Sequence, residues 1–210
     1  MKKVTALTTQ KRNKNRVNVY LDGEFAFGLP AIVAARLSLG QLLSEADIAR
    51  LQKENALETA KEQALRYLTY RPRSRTELRR YLQQKGHEPE TITAVLDRLT
   101  DLNLIDDKAF ARYWVEQRET FRPRSKIALQ QELMAKGVSR EAIEAAIETV
   151  DELDAARKAA QKQLYRWRNL PEQAFKTKLG QFLQRRGFGY EIILEIIDEL
   201  WQATNTKSDT

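Results

Sequence analysis

Arg71-Pro72-Arg73-Ser74 and Arg122-Pro123-Arg124-Ser125 are two copies of one tetrapeptide, and the interpretation of the whole chain starts from them. Each copy is followed by two leucines and then by a basic residue and a glycine, which are Gly86 and Gly137 in the two copies. A weaker third copy begins at Leu170-Pro171-Glu172 and ends in the same way at Gly187. Coincidences that recur at an offset of about fifty residues are typical of a tandem repeat. We therefore expect three copies of one structural unit.

Each unit has the pattern of three helices. A proline ends the first helix because the residue before proline is disfavoured in the α conformation. Ser74 and Ser125 are suited to cap the second helix, and Ser74 with Glu77 has the spacing of a capping box. The glycines occupy positions that favour a left-handed helix end. An apolar i, i+3, i+4, i+7 stripe then defines one buried face of the third helix, at Ile92/Val95/Leu96/Leu99, Ile143/Ala146/Ile147/Val150 and Ile193/Ile196/Ile197/Leu200.

Aromatic side chains cluster near the end of each first helix and alternate with arginine. Such interleaving occurs in surfaces that stack nucleobases. Recurrence at one helical position is also what a core anchor would show, and we favour the core for all six: Tyr67, Tyr70, Trp114, Phe121, Tyr165 and Trp167.

The first sixty residues differ from the repeats. Residues 4–8, 16–21 and 25–29 have β-type composition, and Asp22-Gly23 is a strong two-residue hairpin signal. We expect a small antiparallel sheet and a short helix after Pro30. Ser44 should then cap a helical stretch that runs toward Tyr70, with a break near Asn55.

These patterns give a mainly α fold: three tandem three-helix repeats in an elongated array, preceded by a small antiparallel β-sheet. The expected division is a sheet module with a short helix at 1–43, a linker helix with the first repeat at 44–101, the second repeat at 102–150, the third repeat at 151–203 and a disordered tail at 204–210.

Composition excludes several kinds of function. The 210 residues contain no cysteine, which excludes a cysteine-ligated zinc site, and one histidine, His87, which excludes a multi-histidine metal site and argues against a histidine-based triad. No glycine belongs to a nucleotide-binding loop, and no apolar run has the roughly 18 residues of a membrane span. We expect no enzymatic activity, no catalytic residues, no cofactor and no metal, and we place the protein in the cytoplasm, away from membranes, as a monomer.

The net charge of +7 is unevenly distributed along the chain. Residues 64–86, 122–136 and 155–187 carry +6, +3 and +8, whereas 87–121, 137–154 and 188–210 carry −4, −5 and −4. Concentrated charge acts as a separate binding surface because salt screens over about 10 Å. The basic blocks centre on the second helices and the acidic blocks on the third helices and linkers. This alternation predicts a repeated basic surface for a polyanion.

The repeated tetrapeptide, together with Leu104-Ile105-Asp106-Asp107 and Phe110-Ala111, resembles the signature of RecX, the bacterial regulator of the RecA recombinase. The resemblance is specific over 64–150 and extends to about 203. It implies a protein without catalytic activity that binds the RecA–single-stranded DNA filament and mainly inhibits its ATPase, strand-exchange and coprotease activities. Leu170-Pro171-Glu172 departs from the family pattern.

The candidate contacts to RecA or DNA are basic residues around the second helices. Arginine binds carboxylates and phosphates through its planar, bidentate fork. The candidates are Arg71, Arg73, Arg75, Arg79, Arg80, Arg122, Arg124, Lys126, Lys176, Lys178, Arg185 and Arg186. Pairing inside the protein, of Arg71 and Arg122 with acidic third helices, is the structural alternative.

The partners expected are the RecA filament, single-stranded DNA and, as a further possibility, duplex DNA. The alternative function is a helix-turn-helix-like protein that acts on DNA directly. Its recognition helices should begin with residues that read bases, yet the third helices begin with Glu88-Pro89-Glu90 and Ser139-Arg140-Glu141. Their acidity argues against entry into the major groove.

Overall fold

The structure is a computed structural model that describes residues 1–167 and 169–205. The chain divides into two compact units. Unit 1 comprises residues 1–73 and 77–105, and unit 2 comprises residues 74–76 and 106–210, as far as the latter are described. The fold is mainly helical with a small antiparallel sheet, as the sequence predicted.

The sheet in unit 1 has four strands in the order β3-β2-β1-β4. Strands β1 (Lys2–Thr9), β2 (Arg16–Leu21) and β3 (Glu24–Pro30) are the three predicted ones. Asp22 and Gly23 turn the chain between β2 and β3 with φ of 51° and 93°, the left-handed conformations that a two-residue hairpin requires. The fourth strand, β4 (Leu42–Leu43), was not predicted, because two residues carry no alternating pattern.

Two helices cover the sheet. The short α1 (Ala31–Ala34) follows Pro30 as predicted, and α2 (Glu45–Leu68) begins at a capping box formed by Ser44 and Asp47. The expected break near Asn55 was wrong, since α2 is continuous and Asn55 Oδ1 accepts a 2.8 Å hydrogen bond from Arg16. Helix α2 contributes Leu51 to the core of the sheet and Ala60 and Ala64 to the core of the first repeat.

Three three-helix repeats follow the sheet. The first uses the second half of α2 with α3 (Arg75–Gln84) and α4 (Pro89–Asp101). The second contains α5 (Asp107–Phe121), α6 (Lys126–Ala135) and α7 (Arg140–Ile147). The third contains α8 (Glu152–Gln161), α9 (Glu172–Gln184) and α10 (Tyr190–Asn205). Each repeat has its own hydrophobic core, and the predicted stripe of its third helix lies largely within that core.

Polar side chains cap the helix starts, at Ser125 as the sequence predicted. Asp106, Ser125 and Ser139 accept hydrogen bonds from the first turns of α5, α6 and α7. The glycines that end the second helices have φ of 80°, 74° and 89°, at Gly86, Gly137 and Gly187. This left-handed region costs an ordinary residue roughly 1–2 kcal/mol, which explains why the repeat places glycine there.

The aromatic segments differ from the prediction. Tyr70, Phe121 and Tyr165 are 73%, 66% and 65% exposed, so assigning all six aromatics to the core was wrong. Tyr67, Trp114 and Trp167 do pack against the repeat cores. The exposed rings lie at or beyond the last helical turn, where the side chain no longer faces the bundle. In the third repeat the aromatics follow α8 in a 3₁₀ turn, Leu164–Arg166.

Helix α10 continues to Asn205, beyond the expected boundary at 203, and the remainder of the expected tail, 206–210, lies outside the described residues. Among the helices that the structure describes, none is long and apolar enough to cross a membrane.

Candidate partner-binding surface

The twelve basic residues singled out from the sequence fall into two groups. Five are exposed on the second helices or in the loops beside them: Arg79, Arg80, Arg122, Lys178 and Arg185. Seven are half-buried and have neighbours within the protein: Arg71, Arg73, Arg75, Arg124, Lys126, Lys176 and Arg186. The exposed group is the solvent-facing part of the predicted surface.

Helix α3 places Arg79 and Arg80 toward solvent. Leu78 and Leu82 are fully buried in the first repeat. Successive helical residues are rotated by about 100°, so the two positions after Leu78 turn away from that core. Both side chains are exposed.

The arginines before α3 have structural roles. Both Nη atoms of Arg71 donate to the carboxylate of Glu77, at 3.1 and 2.9 Å. The guanidinium of Arg73 lies 3.8 Å from the ring centre of Tyr67, which is itself stacked on Tyr81 at 4.1 Å. Arg71 therefore pairs within its own repeat with Glu77 of the second helix.

In the second repeat, Glu132 occupies the position that corresponds to Tyr81. Its Oε2 accepts hydrogen bonds from Trp114 Nε1 at 2.8 Å and from Arg118 Nε at 2.7 Å. Its Oε1 lies 2.9 Å from Arg124 Nε, the distance of an ion pair. That Nε is buried, however, and makes no hydrogen bond of good geometry to any described residue. The single carboxylate thus has three donors around it.

Arg186 joins this group from the end of α9. Its Nη1 donates to the Pro123 carbonyl at 3.3 Å, and its guanidinium lies 5.0 Å from the ring centre of Phe182. Burial, reinforced by the nearby positive charges of Arg122, Arg124 and Arg118, holds the pKa of Arg186 below its ordinary value. We call Arg118, Arg122, Arg124 and Arg186 the arginine cluster. Glu132 is the carboxylate that offsets part of its charge.

The repeated serines and glycines form joints inside unit 2. The Ser125 backbone N–H donates to the Arg186 carbonyl at 3.2 Å, and a Cβ on Gly187 would lie 2.5 Å from Ser125 Oγ. Residues 74–76 repeat this arrangement, since Ser74 Oγ donates to the Lys136 carbonyl at 2.7 Å. The serines of the repeated motif are therefore buried where one repeat contacts the next, and other atoms lie close to Gly137 and Gly187 at these contacts.

Acidic residues support the same joints. The backbone N–H groups of Arg75 and Lys126 donate to Asp107 and Glu152, at 2.8 and 2.9 Å. Lys126 Nζ donates to the Glu148 carbonyl at 3.0 Å. Of the predicted binding residues, Lys126 thus helps to hold the second and third repeats together.

The third repeat also pairs many of its basic residues internally. Lys176 contacts Glu172 at 2.8 Å, and Arg157 forms a two-point ion pair with Glu199. Lys178 and Arg185 are exposed, and no described residue forms an ion pair with either. The large positive block of this repeat therefore reduces to a few available charges.

Sequence reasoning missed two equivalent grooves, one in the second repeat and one in the third. Each lies between the second and third helices of its repeat. One, of about 410 Å³, is lined by Gln130, Met134, Val138, Arg140 and Ile143. The other, of about 430 Å³, is lined among others by Gly180, Gln184, Phe188, Tyr190 and Ile193. The lining positions correspond at an offset of fifty residues. Alignment of the repeats could have paired them, but no sequence signal shows that they remain uncovered.

The described part of the chain holds no group of three histidine, cysteine or carboxylate residues placed to bind a metal. The third helices begin with acidic residues, namely Glu90 in α4, Glu141 in α7 and Glu191 in α10. Their N-termini are thus poorly suited to approach a phosphate backbone.

Four family models match the chain in the order of its parts. The regulatory protein RecX N-terminal domain matches residues 2–43. The first, second and third three-helix domains of RecX match residues 60–99, 106–147 and 150–197.

Whole-length relatives agree with the domain matches. The regulatory protein RecX of Clostridium botulinum is 32% identical over 206 residues, covering 95% of this chain and 96% of that protein. The regulatory protein RecX of Bacillus licheniformis is 32% identical over 201 residues, covering 93% and 76%.

Two solved structures share the fold. A crystal structure of regulatory protein RecX superposes with a TM-score of 0.70 at 29% identity, over 94% of this chain and all of that one. RecX from Lactobacillus salivarius superposes with a TM-score of 0.58 at 26% identity, over 69% of this chain. The domain matches and the whole-length relatives together show that the chain belongs to the RecX family of regulatory proteins.

Proposed function

We propose that this protein binds the RecA–single-stranded DNA filament and modulates it, mainly by inhibiting its ATPase, strand-exchange and coprotease activities. The observation that carries the proposal is that every repeat has an exposed basic residue on or beside its second helix: Arg79, Arg122 and Arg185. DNA phosphates form a repeating polyanionic surface, and one exposed basic residue in each repeat suits contact with it.

The equivalent grooves of the second and third repeats support the same function. A filament presents one surface many times, so a protein that offers one groove twice can contact successive copies of it. Linked contacts of this kind strengthen one another through effective concentration.

The protein acts in this proposal as a binding protein rather than as an enzyme, in the cytoplasm and as a monomer. Its relatives carry the name regulatory protein. Modulation would come from occupying the filament, with no cofactor taking part.

The test measures ATP hydrolysis by RecA on single-stranded DNA while the protein is titrated in. We expect inhibition by the unmodified protein. Arg79→Glu should require roughly tenfold more protein for half-inhibition, because it reverses a charge at the proposed surface. Arg98→Glu is the matched control, since Arg98 is exposed on the third helix of the same repeat. Absence of inhibition by the unmodified protein, together with an unchanged filament lifetime, would refute the proposal.

The helix-turn-helix alternative predicts strong preference for one duplex sequence. The acidic starts of α4, α7 and α10 oppose this, because a recognition helix inserts its N-terminal residues among bases and phosphates. A competition gel with random and selected duplexes separates the two functions.

A further inference from the structure

The second repeat ends its first helix with an aromatic ring and an arginine that both face solvent. Phe121 is 66% exposed as the last residue of α5, and Arg122 follows it. A single exposed ring is common on protein surfaces, so its meaning depends on the groups around it. Here the neighbouring side chains indicate the chemistry of a partner.

The surroundings have surplus positive charge. The arginine cluster contributes four guanidinium groups around one carboxylate, Glu132, which already has Trp114, Arg118 and Arg124 as neighbours. Among the described residues none forms an ion pair with Arg122. After burial, the positive charges of the nearby guanidinium groups also lower the pKa of Arg186. An additional anion at Arg122 would relieve this repulsion.

The corresponding place in the first repeat lacks that surplus. Tyr70 is exposed there like Phe121, but the next residue, Arg71, is held by Glu77 through two hydrogen bonds. In the third repeat the chain has Leu170-Pro171-Glu172 instead, with an acidic residue in place of a basic one. The third repeat also has an exposed ring beside an arginine, Tyr165 with Arg166, but there Arg166 Nε donates to the Tyr165 hydroxyl at 3.1 Å and the guanidinium lies 5.7 Å from the centre of the same ring. Among the described residues of the repeats, the second repeat is where the exposed ring adjoins an arginine that belongs to a cluster of like charges.

An aromatic ring beside an arginine matches the two parts of a nucleotide. Every base has a face that stacks on an aromatic side chain, and its phosphate accepts hydrogen bonds from a guanidinium. A base in a duplex is already stacked, so an exposed ring reaches only unpaired bases. An acidic residue of a protein would supply the anion alone, whereas one nucleotide supplies both the anion and a ring on which Phe121 can stack.

We propose that Phe121 and Arg122 form a nucleotide-binding contact for single-stranded DNA, in which Phe121 stacks on an unpaired base and Arg122 binds the adjoining phosphate. Arg186 lies behind them and adds positive potential. This inference rests on the proposed function and deepens it, because it assigns a direct DNA contact to the second repeat.

The test measures fluorescence anisotropy of two labelled oligomers with the free protein: oligo(dT) and an abasic strand of the same length. Phe121→Leu should weaken binding of oligo(dT) roughly fivefold or more, the effect of losing one stacked base, and leave binding of the abasic strand unchanged. Arg122→Gln should weaken binding of both strands. It should also make the log–log salt dependence shallower by about 0.7.

Arg112→Gln is the matched control, because Arg112 is exposed on the same helix and the variant loses the same charge. We expect it to bind both strands like the unmodified protein. Circular dichroism of each variant confirms an unchanged helical content, which the exposure of all three side chains leads us to expect.

Several results would overturn the inference. They are no binding of oligo(dT) by the unmodified protein, equal losses for Phe121→Leu on both strands, an effect of Arg112→Gln as large as that of Arg122→Gln, or displacement of oligo(dT) by poly-glutamate as efficiently as by unlabelled oligomer. The RecA ATPase assay tests the proposed function separately. Loss of inhibition there with intact stacking on oligo(dT) would refute the proposed function alone.

Discussion

At the scale of single residues, one arginine-rich motif has two different uses. Arg71, Arg73 and Arg124 have carboxylates or rings beside them, whereas Arg79 and Arg122 face solvent. The sequence could place all five near the second helices. It could not divide them, because the choice of an ion-pair partner depends on which residues the tertiary fold brings within about 4 Å.

Gly187 allows a test at this scale. Gly86 and Gly187 have similar φ, 80° and 89°, but only Gly187 is closely approached, with Ser125 Oγ 2.5 Å from the position of a Cβ. Gly86→Ala should destabilise the protein by about 1 kcal/mol through backbone strain. Gly187→Ala should cost about 1–3 kcal/mol more through overpacking of the joint. Urea unfolding midpoints measure both, and equal losses would contradict the joint.

At the scale of elements, patterns that repeat locally were predictable and those set by distant contacts were not. The helix caps at Ser125 and Ser139, the glycine ends and the Asp22-Gly23 hairpin follow from local preferences, and the structure confirms them. Strand β4 exists because Leu42 and Leu43 pair with Lys3 and Lys2 forty residues away. The exposed rings of Tyr70 and Phe121 were assigned wrongly, since periodicity does not tell where a bundle stops covering its helix.

The contact between α8 and α10 predicts a pH effect. The hydrogen bonds from Arg157, more than its charge alone, hold the pKa of Glu199 below its ordinary value. A carboxyl with a lowered folded-state pKa stabilises the fold above its unfolded-state pKa, and this stabilisation is lost as the pH falls through the folded-state pKa. Glu199→Gln should therefore be less stable than the unmodified protein at neutral pH, with the difference shrinking below about pH 4.

Denaturant midpoints at several pH values measure this difference. Glu195→Gln is the matched control on the same helix, because Glu195 is exposed. A stability gap for Glu199→Gln that stays constant down to about pH 3 would contradict the role of the ion pair.

At the scale of the whole molecule, the net charge of +7 is a poor measure of the basic surface available to a partner. It hides the concentration of positive charge in blocks, and it also counts basic residues that are paired with carboxylates. The third repeat has the largest basic block, yet Arg157, Lys158 and Lys176 are each paired with carboxylates. Five of the twelve predicted residues remain exposed. Sequence charge therefore located the basic regions, whereas the structure determines how many charges a partner can use.

The number of exposed basic residues predicts how strongly salt weakens the binding of DNA. If the five exposed residues contact phosphates, the affinity of the free protein for single-stranded DNA should fall with salt at a log–log slope of about −3.5. Titrations at several salt concentrations measure the slope. A value near zero would show that these residues do not contact the DNA backbone.

The joint between the second and third repeats has a consequence for how such a protein can change its length. Ser125 lies near the start of its helix hairpin and Gly187 at the turn of the next one. The Ser125 backbone N–H donates to the carbonyl of Arg186, the residue before Gly187, so the hydrogen bond of the joint is made by main-chain groups. A repeat of this type carries the serine of one joint near its start and the glycine of another near its middle. An in-frame duplication of one repeat would therefore supply both residues of the added joint, and the chain could lengthen by about fifty residues without redesign of any core.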